Sequence, residues 1–386
     1  MIHALPYILI VIFYGTLAIL YQQTRNEQMR IYIKTACIGI FIFFFGFRGF
    51  IFYDWASYYP LFHAFPDFST LITTPLFKWD TEPAFVLLGV VCKTLYPNYH
   101  FFVLICSSIN LVLLWIFFKR YSDNIPLTFM LFLAFNGIML CTDLMRNSIS
   151  ILLFANSVRY IENRKPLPFF VINILGVMFH KTSLLLLPTY FFLHLRFNKW
   201  FLIILFGVAN AMFLLHIPIL KTIILFLSNY VDSSLTFWMT MYTKMDLDGG
   251  FGIGLGYLER LLTGTLTLCY LKRLRSLRPK NDIFINSVIL YIIIFIVFNE
   301  FRQVSMRLSN LFSFGYWILW ADLIKCFTIR SNRLIFATFV AIYCILRVYG
   351  NCNYALADYE NILTGARPFN ERLIFFRQHF SDDRGV

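Results

Sequence analysis

The sequence predicts an all-α polytopic membrane protein with about 12 transmembrane helices and an additional half-helix on the outer side. Of its 386 residues, 59% are hydrophobic and the mean hydropathy is +0.69. Soluble domains are typically about 45–50% apolar. The apolar residues also fall in long runs that short polar stretches separate. We therefore expect a single transmembrane domain over 1–349 and an outer-side C-terminal tail over 350–386.

The apolar runs define the candidate spans, several of which are shorter than the ~20 residues that a perpendicular crossing needs. The run 83–95 is too short for a span and contains Lys93, so we interpret it as a half-helix. The first run has no basic n-region and no small-residue cleavage site, which predicts an uncleaved span. The candidate spans are 2–20, 31–47, 101–118, 126–141, 144–161, 167–179, 183–195, 200–217, 257–271, 283–298, 304–324 and 334–349.

The charges between the runs orient the chain. If 83–95 does not cross, one side receives 18 of the 33 basic residues but only 5 of the 20 acidic ones. The side rich in lysine and arginine is expected to be the cytoplasmic side. Both termini, the loop 48–82 and the segment 218–256 then lie outside. Nucleic acid is not an expected partner, because the basic residues lie in short loops rather than on one folded face.

The sequence carries no metal-binding pattern. The eight cysteines are scattered, mostly inside apolar runs, where cysteine acts as a small hydrophobe. The only D-x-D, Asp246 to Asp248, lies in a glycine-rich stretch without other clear ligands. We expect no metal and no cofactor, and we interpret the segment 218–256 as a flexible outer lid or linker.

The first outer loop concentrates charged and aromatic side chains. Arg48 has a forked set of donors that suits a phosphate or carboxylate, and Asp54 can accept a proton or bind sugar hydroxyls. An aromatic belt at the membrane interface with a snorkelling arginine would explain the same pattern without any ligand. The aromatic residues that could stack on sugars are Tyr53, Trp55, Tyr58 and Tyr59.

Two further residues are candidates for acid–base chemistry. Glu82 precedes Pro83, where an acidic residue suits the positive end of a helix, but it could also orient or deprotonate a hydroxyl. His180, beside Lys181, interrupts the otherwise apolar run 167–195. A histidine in such a break can be structural, yet histidine is also the commonest general base.

Arginines on the outer side predict an anionic ligand. Arg146 begins the span 144–161 three residues after Asp143, so the two could pair as neighbours on a helix. Arg302 and Arg307 flank the start of span 304–324, and an arginine buried in a membrane helix needs an anionic partner. Together with Arg48 these guanidiniums would suit a diphosphate, which can engage several arginines.

These motifs occur in an order that resembles the EpsG-type branch of the Wzy-like bacterial polysaccharide polymerases. The resemblance covers residues 31 to 315 and has two departures. Tyr53 stands where that family usually has glycine before the aspartate, and Asn147 stands where glutamine usually follows the arginine. The motifs are FRGF followed by Asp54 and Tyr58, TEPAF, Arg146 at a helix start, FHKTSLLLLP and MRLSNLF.

The resemblance implies the joining of oligosaccharide repeat units on undecaprenyl diphosphate, at the outer leaflet of the bacterial inner membrane, into capsule, exopolysaccharide or O-antigen. The implied fold is similar to that of lipid-linked membrane glycosyltransferases and O-antigen ligases. His180, Glu82 or Asp54 would act on the acceptor hydroxyl, and the arginines would hold the leaving diphosphate. The expected partners are the lipid-linked oligosaccharide as donor and acceptor, membrane lipids and, as a candidate, a chain-length regulator.

Three other functions remain open at the level of sequence. A glycosyltransferase that uses a lipid monophosphate sugar usually carries an acidic pair in its first outer loop, where only Asp54 stands out here. A ligase usually has a larger outer domain than 218–256. A flippase for lipid-linked oligosaccharides would be expected to show repeats with polar residues at mid-membrane depth, and no internal repeat is visible.

Overall fold

The computed structural model describes residues 3–71, 73, 81–219, 222–223, 226 and 252–380. Regular structure in these ranges is helical, with only isolated bridges of extended backbone. The chain is therefore an all-α polytopic membrane protein, as the sequence predicts. Its contacts divide it into two compact units, Met1–Pro188 with Ile329–Val386 and Thr189–Thr328. The single transmembrane domain expected over 1–349 stays a prediction.

The first unit carries the N-terminal helices, a long helix near the C-terminus and the tail helix. A π-helix, Ile42–Gly46, continues α2, a second one, Leu133–Gly137, joins α7 to α8, and short 3₁₀ helices follow α10 and α18. The helices are α1 Leu5–Gln23, α2 Glu27–Phe41, α3 Trp55–Ala64, α4 Phe68–Leu71, α5 Pro83–Leu95, α6 Tyr99–Tyr121, α7 Ile125–Phe132, α8 Ile138–Thr142, α9 Met145–Glu162, α10 Pro166–Phe179, α18 Arg330–Cys352 and α19 Phe369–His379.

The second unit is also helical over its described residues. Most of the predicted lid 218–256, including Asp246 and Asp248, lies outside the described residues. The helices of this unit are α11 Thr189–Phe192, α12 Lys199–Leu214, α13 Leu255–Cys269, α14 Leu271–Leu277, α15 Asp282–Val297, α16 Arg302–Asn310 and α17 Phe314–Cys326.

Local sequence explains where several helices begin. Proline occupies the first turn of α5, α7 and α10, where its missing N–H costs nothing and its fixed φ favours the helix. Asparagine side chains cap three others by accepting hydrogen bonds from the first free backbone N–H groups. The capping residues are Asn26 for α2, Asn98 for α6 and Asn198 for α12.

Five described helical segments are long and apolar enough to cross a membrane, so the number of about 12 stays a prediction. Two predicted spans differ from the structure. The run 183–195 forms a short 3₁₀ helix and the four-residue α11, and the run 304–324 is divided between α16 and α17. The five long segments are Leu5–Gln23, Glu27–Gly46, Tyr99–Tyr121, Ile125–Thr142 and Arg330–Cys352.

The C-terminal tail packs on the first outer loop. Backbone hydrogen bonds join Gly49 N to the Glu360 carbonyl and Ile362 N to the Phe47 carbonyl, both at 2.8 Å. Further along the tail, the guanidinium of Arg372 is fully buried and donates to the carbonyl oxygen of Leu356 at 3.1 Å. The tail therefore forms one wall of the region that follows α2.

Candidate active site

The candidate site is centred on Glu82, the residue that precedes α5. Its backbone is extended and its side chain does not cap its own helix. Gly89 lets α5 approach the ring of Phe65 closely, because a Cβ at this position would clash with that ring. The Glu82 carboxylate is buried and points across to residues that are far away in the sequence.

Glu82 joins two of the other predicted site residues. Its Oε2 accepts a hydrogen bond from Arg146 Nη1 at 2.6 Å, and its Oε1 lies 3.0 Å from His180 Nδ1. The backbone N–H of Lys181 also donates to Oε1, at 3.2 Å. The contact with His180 exists because α10 ends at Phe179, so that an extended residue at 180 turns the imidazole towards the carboxylate. Glu82, Arg146 and His180 therefore form one hydrogen-bonded cluster.

The cluster has a closed side and an open side. The Glu82 side chain is 5% exposed, whereas the side chains of Arg146 and His180 are 28% and 24% exposed. Burial raises the pKa of the Glu82 carboxyl, but hydrogen bonds from His180 and Lys181 and the charge of Arg146 outweigh it and lower the pKa to about 2. The carboxylate is thus ionised at neutral pH, and the guanidinium and imidazole are the groups that a ligand can reach.

Tyr58 on α3 extends this cluster. Its hydroxyl accepts a hydrogen bond from Arg146 Nε at 3.4 Å, and the guanidinium carbon lies 5.8 Å from the centre of its ring. The ring of Phe85 lies at a similar distance from the same guanidinium. Arg146 is therefore held by one carboxylate and two aromatic rings, and part of its surface remains open.

Asp143 does not pair with Arg146, so the predicted neighbour pair is wrong. Its Oδ1 instead accepts hydrogen bonds from the backbone N–H groups of Tyr53 and Asp54, at 3.0 and 3.1 Å. Those amides lie at the start of α3, where free N–H groups and the helix dipole favour an anion. Asp143 therefore fixes the beginning of the helix that carries Tyr58.

The charge of Asp143 makes stability depend on pH. Burial, and then the charge of Asp54, raise the pKa of Asp143, although the two backbone hydrogen bonds and Arg48 act to lower it. A raised carboxyl pKa means that the protonated form stabilises the fold. This stabilisation is complete below about pH 4, the ordinary pKa of aspartate, and is lost as the pH rises towards neutrality.

We expect the Asp143→Asn variant to lose this pH dependence. Its side-chain oxygen can still accept both backbone hydrogen bonds, but it carries no charge. Thermal unfolding in detergent between pH 4 and pH 7 should therefore show the Tm of the unsubstituted protein falling relative to that of the variant. Parallel Tm profiles for the two proteins would contradict this account of Asp143.

Arg48 is buried rather than at the surface. Its side chain is 1% exposed, and Nη2 donates to the carbonyl oxygen of Thr142 at 3.1 Å. Its Nε and Nη1 have no hydrogen-bond partner among the described residues. The interpretation as a snorkelling arginine is therefore wrong, since the guanidinium is buried and donates to the Thr142 carbonyl oxygen. Its role in diphosphate binding stays a prediction.

The four predicted sugar-stacking residues have different environments. Trp55 is buried, and its ring packs edge-on against Phe369 and Phe376 of the tail helix. Tyr59 stacks on Phe369 with ring centres 4.0 Å apart, and Tyr53 stacks on Tyr354 of the tail. These contacts favour a packing role for Trp55, while sugar binding by this group stays a prediction.

Arg302 and Arg307 belong to α16 in the second unit. Arg307 is exposed, so the expectation of a buried arginine in a membrane helix is wrong. The side chain of Arg302 lies outside the described residues. The structure therefore brings together Glu82, Arg146, His180 and Tyr58, and it does not relate Arg302 or Arg307 to that cluster.

A buried ionic pair lies in the second unit and is not among the predicted site residues. Glu259 and Arg260 on α13 are 3% and 5% exposed. Arg260 Nη2 donates to the Tyr291 hydroxyl at 3.0 Å, and Thr263 donates to Glu259 at 2.8 Å. The signal was present in the sequence, because two adjacent charges interrupt the apolar run 257–271.

Arg372, in the tail, is a second buried charged residue that is not among the predicted site residues. Its guanidinium is 3.5 Å from Glu360 Oε1 and 4.0 Å from Asp358 Oδ2. No local pattern pointed to it, since the stretch 369–379 reads as an ordinary polar and aromatic helix. Its burial depends on the tail folding back on the first outer loop.

Comparison with known proteins matches this chain to a family model. The family model described as the EpsG family matches residues 30–361, which is most of the sequence. No curated protein and no solved structure gave a match. The matched range includes Glu82, Arg146 and His180 and ends within the tail.

Proposed function

The chain belongs to the EpsG family, and from this premise we propose that it polymerises oligosaccharide repeat units carried on undecaprenyl diphosphate. The reaction would take place at the outer face of the bacterial inner membrane and would build a capsule, an exopolysaccharide or O-antigen. The order of the motifs along the chain and the clustering of Glu82, Arg146 and His180 support this proposal.

The proposed reaction is a glycosyl transfer between two lipid-linked molecules. A hydroxyl of the incoming unit attacks the anomeric carbon of the growing chain and forms the new glycosidic bond. The bond between that carbon and the diphosphate oxygen breaks, and undecaprenyl diphosphate leaves with the electron pair. The hydroxyl proton must pass to a base, and the developing negative charge on the leaving group needs a cation.

The observation that carries the proposal is the contact of one buried carboxylate with both an imidazole and a guanidinium. When His180 Nδ1 carries the hydrogen and donates it to Glu82, Nε2 has a lone pair that can accept a proton. No described residue bonds to Nε2. His180 is thus our candidate for the base that accepts the proton of the acceptor hydroxyl.

Glu82 acts in this proposal as a positioning residue. Both of its oxygens already accept hydrogen bonds, and its low pKa makes it a weak base at neutral pH. It fixes the tautomer and orientation of His180, as carboxylates do for histidines in many sites. Asp54 remains the alternative base, because it lies at the start of the helix that carries Tyr58.

Arg146 would bind the leaving diphosphate. It keeps part of its guanidinium exposed while Glu82 and Tyr58 fix its orientation, which is the arrangement that bidentate recognition of a phosphate needs. Arg48, Arg302 and Arg307 stay predicted members of the diphosphate-binding set, on the basis of the sequence alone.

The proposal is tested with purified full-length protein in nanodiscs and a lipid-diphosphate-linked repeat unit from the source bacterium. We expect a ladder of lengthening glycans on a gel, without a nucleotide sugar and in the presence of EDTA. An unchanged single unit would contradict polymerisation. Transfer of that unit across the bilayer of proteoliposomes, without elongation, would identify a flippase instead.

A further inference from the structure

Lys181 lies beside the cluster of Glu82, Arg146 and His180, and its side chain is exposed. It begins the 3₁₀ helix Lys181–Leu186, and its backbone N–H donates to Glu82 Oε1 at 3.2 Å. Within the described residues its ammonium group makes no hydrogen bond and no ion pair. The cluster therefore fixes the backbone of Lys181 and leaves its positive charge available to a ligand.

The backbone of Lys181 is close to the guanidinium of Arg146. The two groups donate to the two oxygens of the same Glu82 carboxylate, so only two hydrogen bonds and the width of that carboxylate separate them. The hydroxyls of Ser183 and Ser150 are also in contact, which holds the 3₁₀ helix against α9, the helix that carries Arg146. Because lysine has a flexible four-carbon stem, its ammonium can reach an anion that Arg146 binds.

Without Lys181 the cluster has no net positive charge. The ionised carboxylate of Glu82 compensates the charge of Arg146, and His180 can accept a proton only while its imidazole is neutral. A lipid diphosphate carries a negative charge on each phosphate, and cleavage of the glycosyl bond adds further charge. Arg146 alone would have to hold this anion beside the negative charge of Glu82.

The other predicted cations do not meet this need in the structure. Arg48 is 1% exposed and so offers almost no surface to a ligand. Arg302 and Arg307 lie on α16 of the second unit. Lys181 is the residue that combines contact with Glu82, an exposed side chain and a positive charge that Glu82 does not already compensate.

We propose that the ammonium of Lys181 binds the diphosphate of the lipid-linked substrate together with Arg146. Arg146 would orient the diphosphate through its forked donors, and Lys181 would act as a point charge. When the bond between the anomeric carbon and the diphosphate oxygen breaks, the electron pair passes to that oxygen, and Lys181 stabilises the charge that develops there. The inference rests on the proposed function for the identity of the lipid diphosphate.

The test measures the binding of undecaprenyl diphosphate, without a sugar, to full-length protein in detergent micelles by microscale thermophoresis. The Lys181→Met variant removes the cation and keeps an unbranched side chain. We expect its affinity to be about tenfold lower, the effect of one hydrogen bond to a charged group, with an unchanged Tm. Lys181→Arg should retain the affinity. Added KCl should weaken binding to the unsubstituted protein more steeply than binding to Lys181→Met.

Lys165→Met is the matched control. Lys165 is exposed and precedes α10, whereas Lys181 follows the other end of the same helix, which at 1.5 Å per residue is about 21 Å long. Its replacement removes the same charge and should leave the affinity unchanged. The proposal would be overturned by full affinity in Lys181→Met, by an equal loss in Lys165→Met, or by no binding to the unsubstituted protein.

Failure of this proposal is distinguishable from failure of the proposed function. Binding of undecaprenyl diphosphate needs no transfer, so binding that depends on Lys181 in a protein that forms no polymer would refute polymerisation and support the binding site. Polymer formation with an unchanged kcat/KM in Lys181→Met would refute the binding site alone. We expect kcat/KM to fall about tenfold or more, while the pH profile, which His180 sets, keeps its shape. A shifted pH profile would mean that Lys181 acts through His180, and would overturn its role in binding.

Discussion

The Glu82→Gln variant is expected to lose polymer formation by about a hundredfold, because Glu82 positions the candidate base His180 and loss of such an orienting carboxylate costs up to about that much. Glutamine has nearly the same shape but no negative charge. It cannot hold Arg146 and His180 as an anion does, because hydrogen bonds to a charged group are stronger than those between neutral groups. The measurement is the initial rate of elongation of the lipid-linked repeat unit, with the amount of folded protein checked by size-exclusion chromatography.

Glu27→Gln is the matched control for this variant. Glu27 also pairs with an arginine, Arg30, at 3.0 Å, but its side chain is 75% exposed. An exposed ion pair contributes between 0 and about 1 kcal/mol, so this change should alter neither stability nor polymer formation. Equal activity in the two variants would contradict the role given to Glu82.

The Arg372→Met variant is expected to have the largest effect on stability. Arg372 is fully buried and lies between Glu360, Asp358 and two backbone carbonyl groups. Removing one partner of a buried ionic group costs about 3–5 kcal/mol. We expect a cost near the lower end, because Arg367 still pairs with Asp358 and Glu360 when Arg372 is gone. We expect a lower Tm and rapid cleavage of the tail by added protease, since the tail depends on this anchor.

Arg377→Met controls for the loss of a positive charge from the same helix. Arg377 is exposed on α19, five residues after Arg372. Its replacement should leave both the Tm and the protease sensitivity of the tail unchanged. If the Arg372 variant behaves like this control, the tail does not depend on the buried guanidinium.

The sequence could predict the residues of the site one at a time but not their contacts. Glu82, Arg146 and His180 each stood out as polar residues beside apolar runs, yet Glu82 is 64 residues from Arg146 and 98 from His180. Local spacing instead suggested that Asp143 pairs with Arg146. In the structure, Asp143 accepts hydrogen bonds from backbone N–H groups that lie 89 and 90 residues earlier in the chain. Helical periodicity cannot predict a contact at that sequence separation.

Helix boundaries were predictable where local chemistry sets them. Helix α5 begins at Pro83 and ends at Leu95, as the apolar run and the proline indicate. The burial of Trp55 was not predictable, because the rings that pack against it belong to Phe369 and Phe376, more than 300 residues later in the chain. Aromatic residues in an outer loop suggest sugar binding whether or not a distant tail packs on them. The sequence of the loop therefore cannot distinguish a sugar-binding role from a packing role.

The central claim is that each new glycosidic bond releases one undecaprenyl diphosphate. The most direct measurement is a single assay of purified protein in which released lipid diphosphate and newly formed glycosidic bonds are counted together over time. The proposed mechanism predicts a ratio of one throughout, with both quantities lost in the Glu82→Gln protein and retained in the Glu27→Gln protein. Polymer growth without release of lipid diphosphate would contradict it, as would release without any new bond.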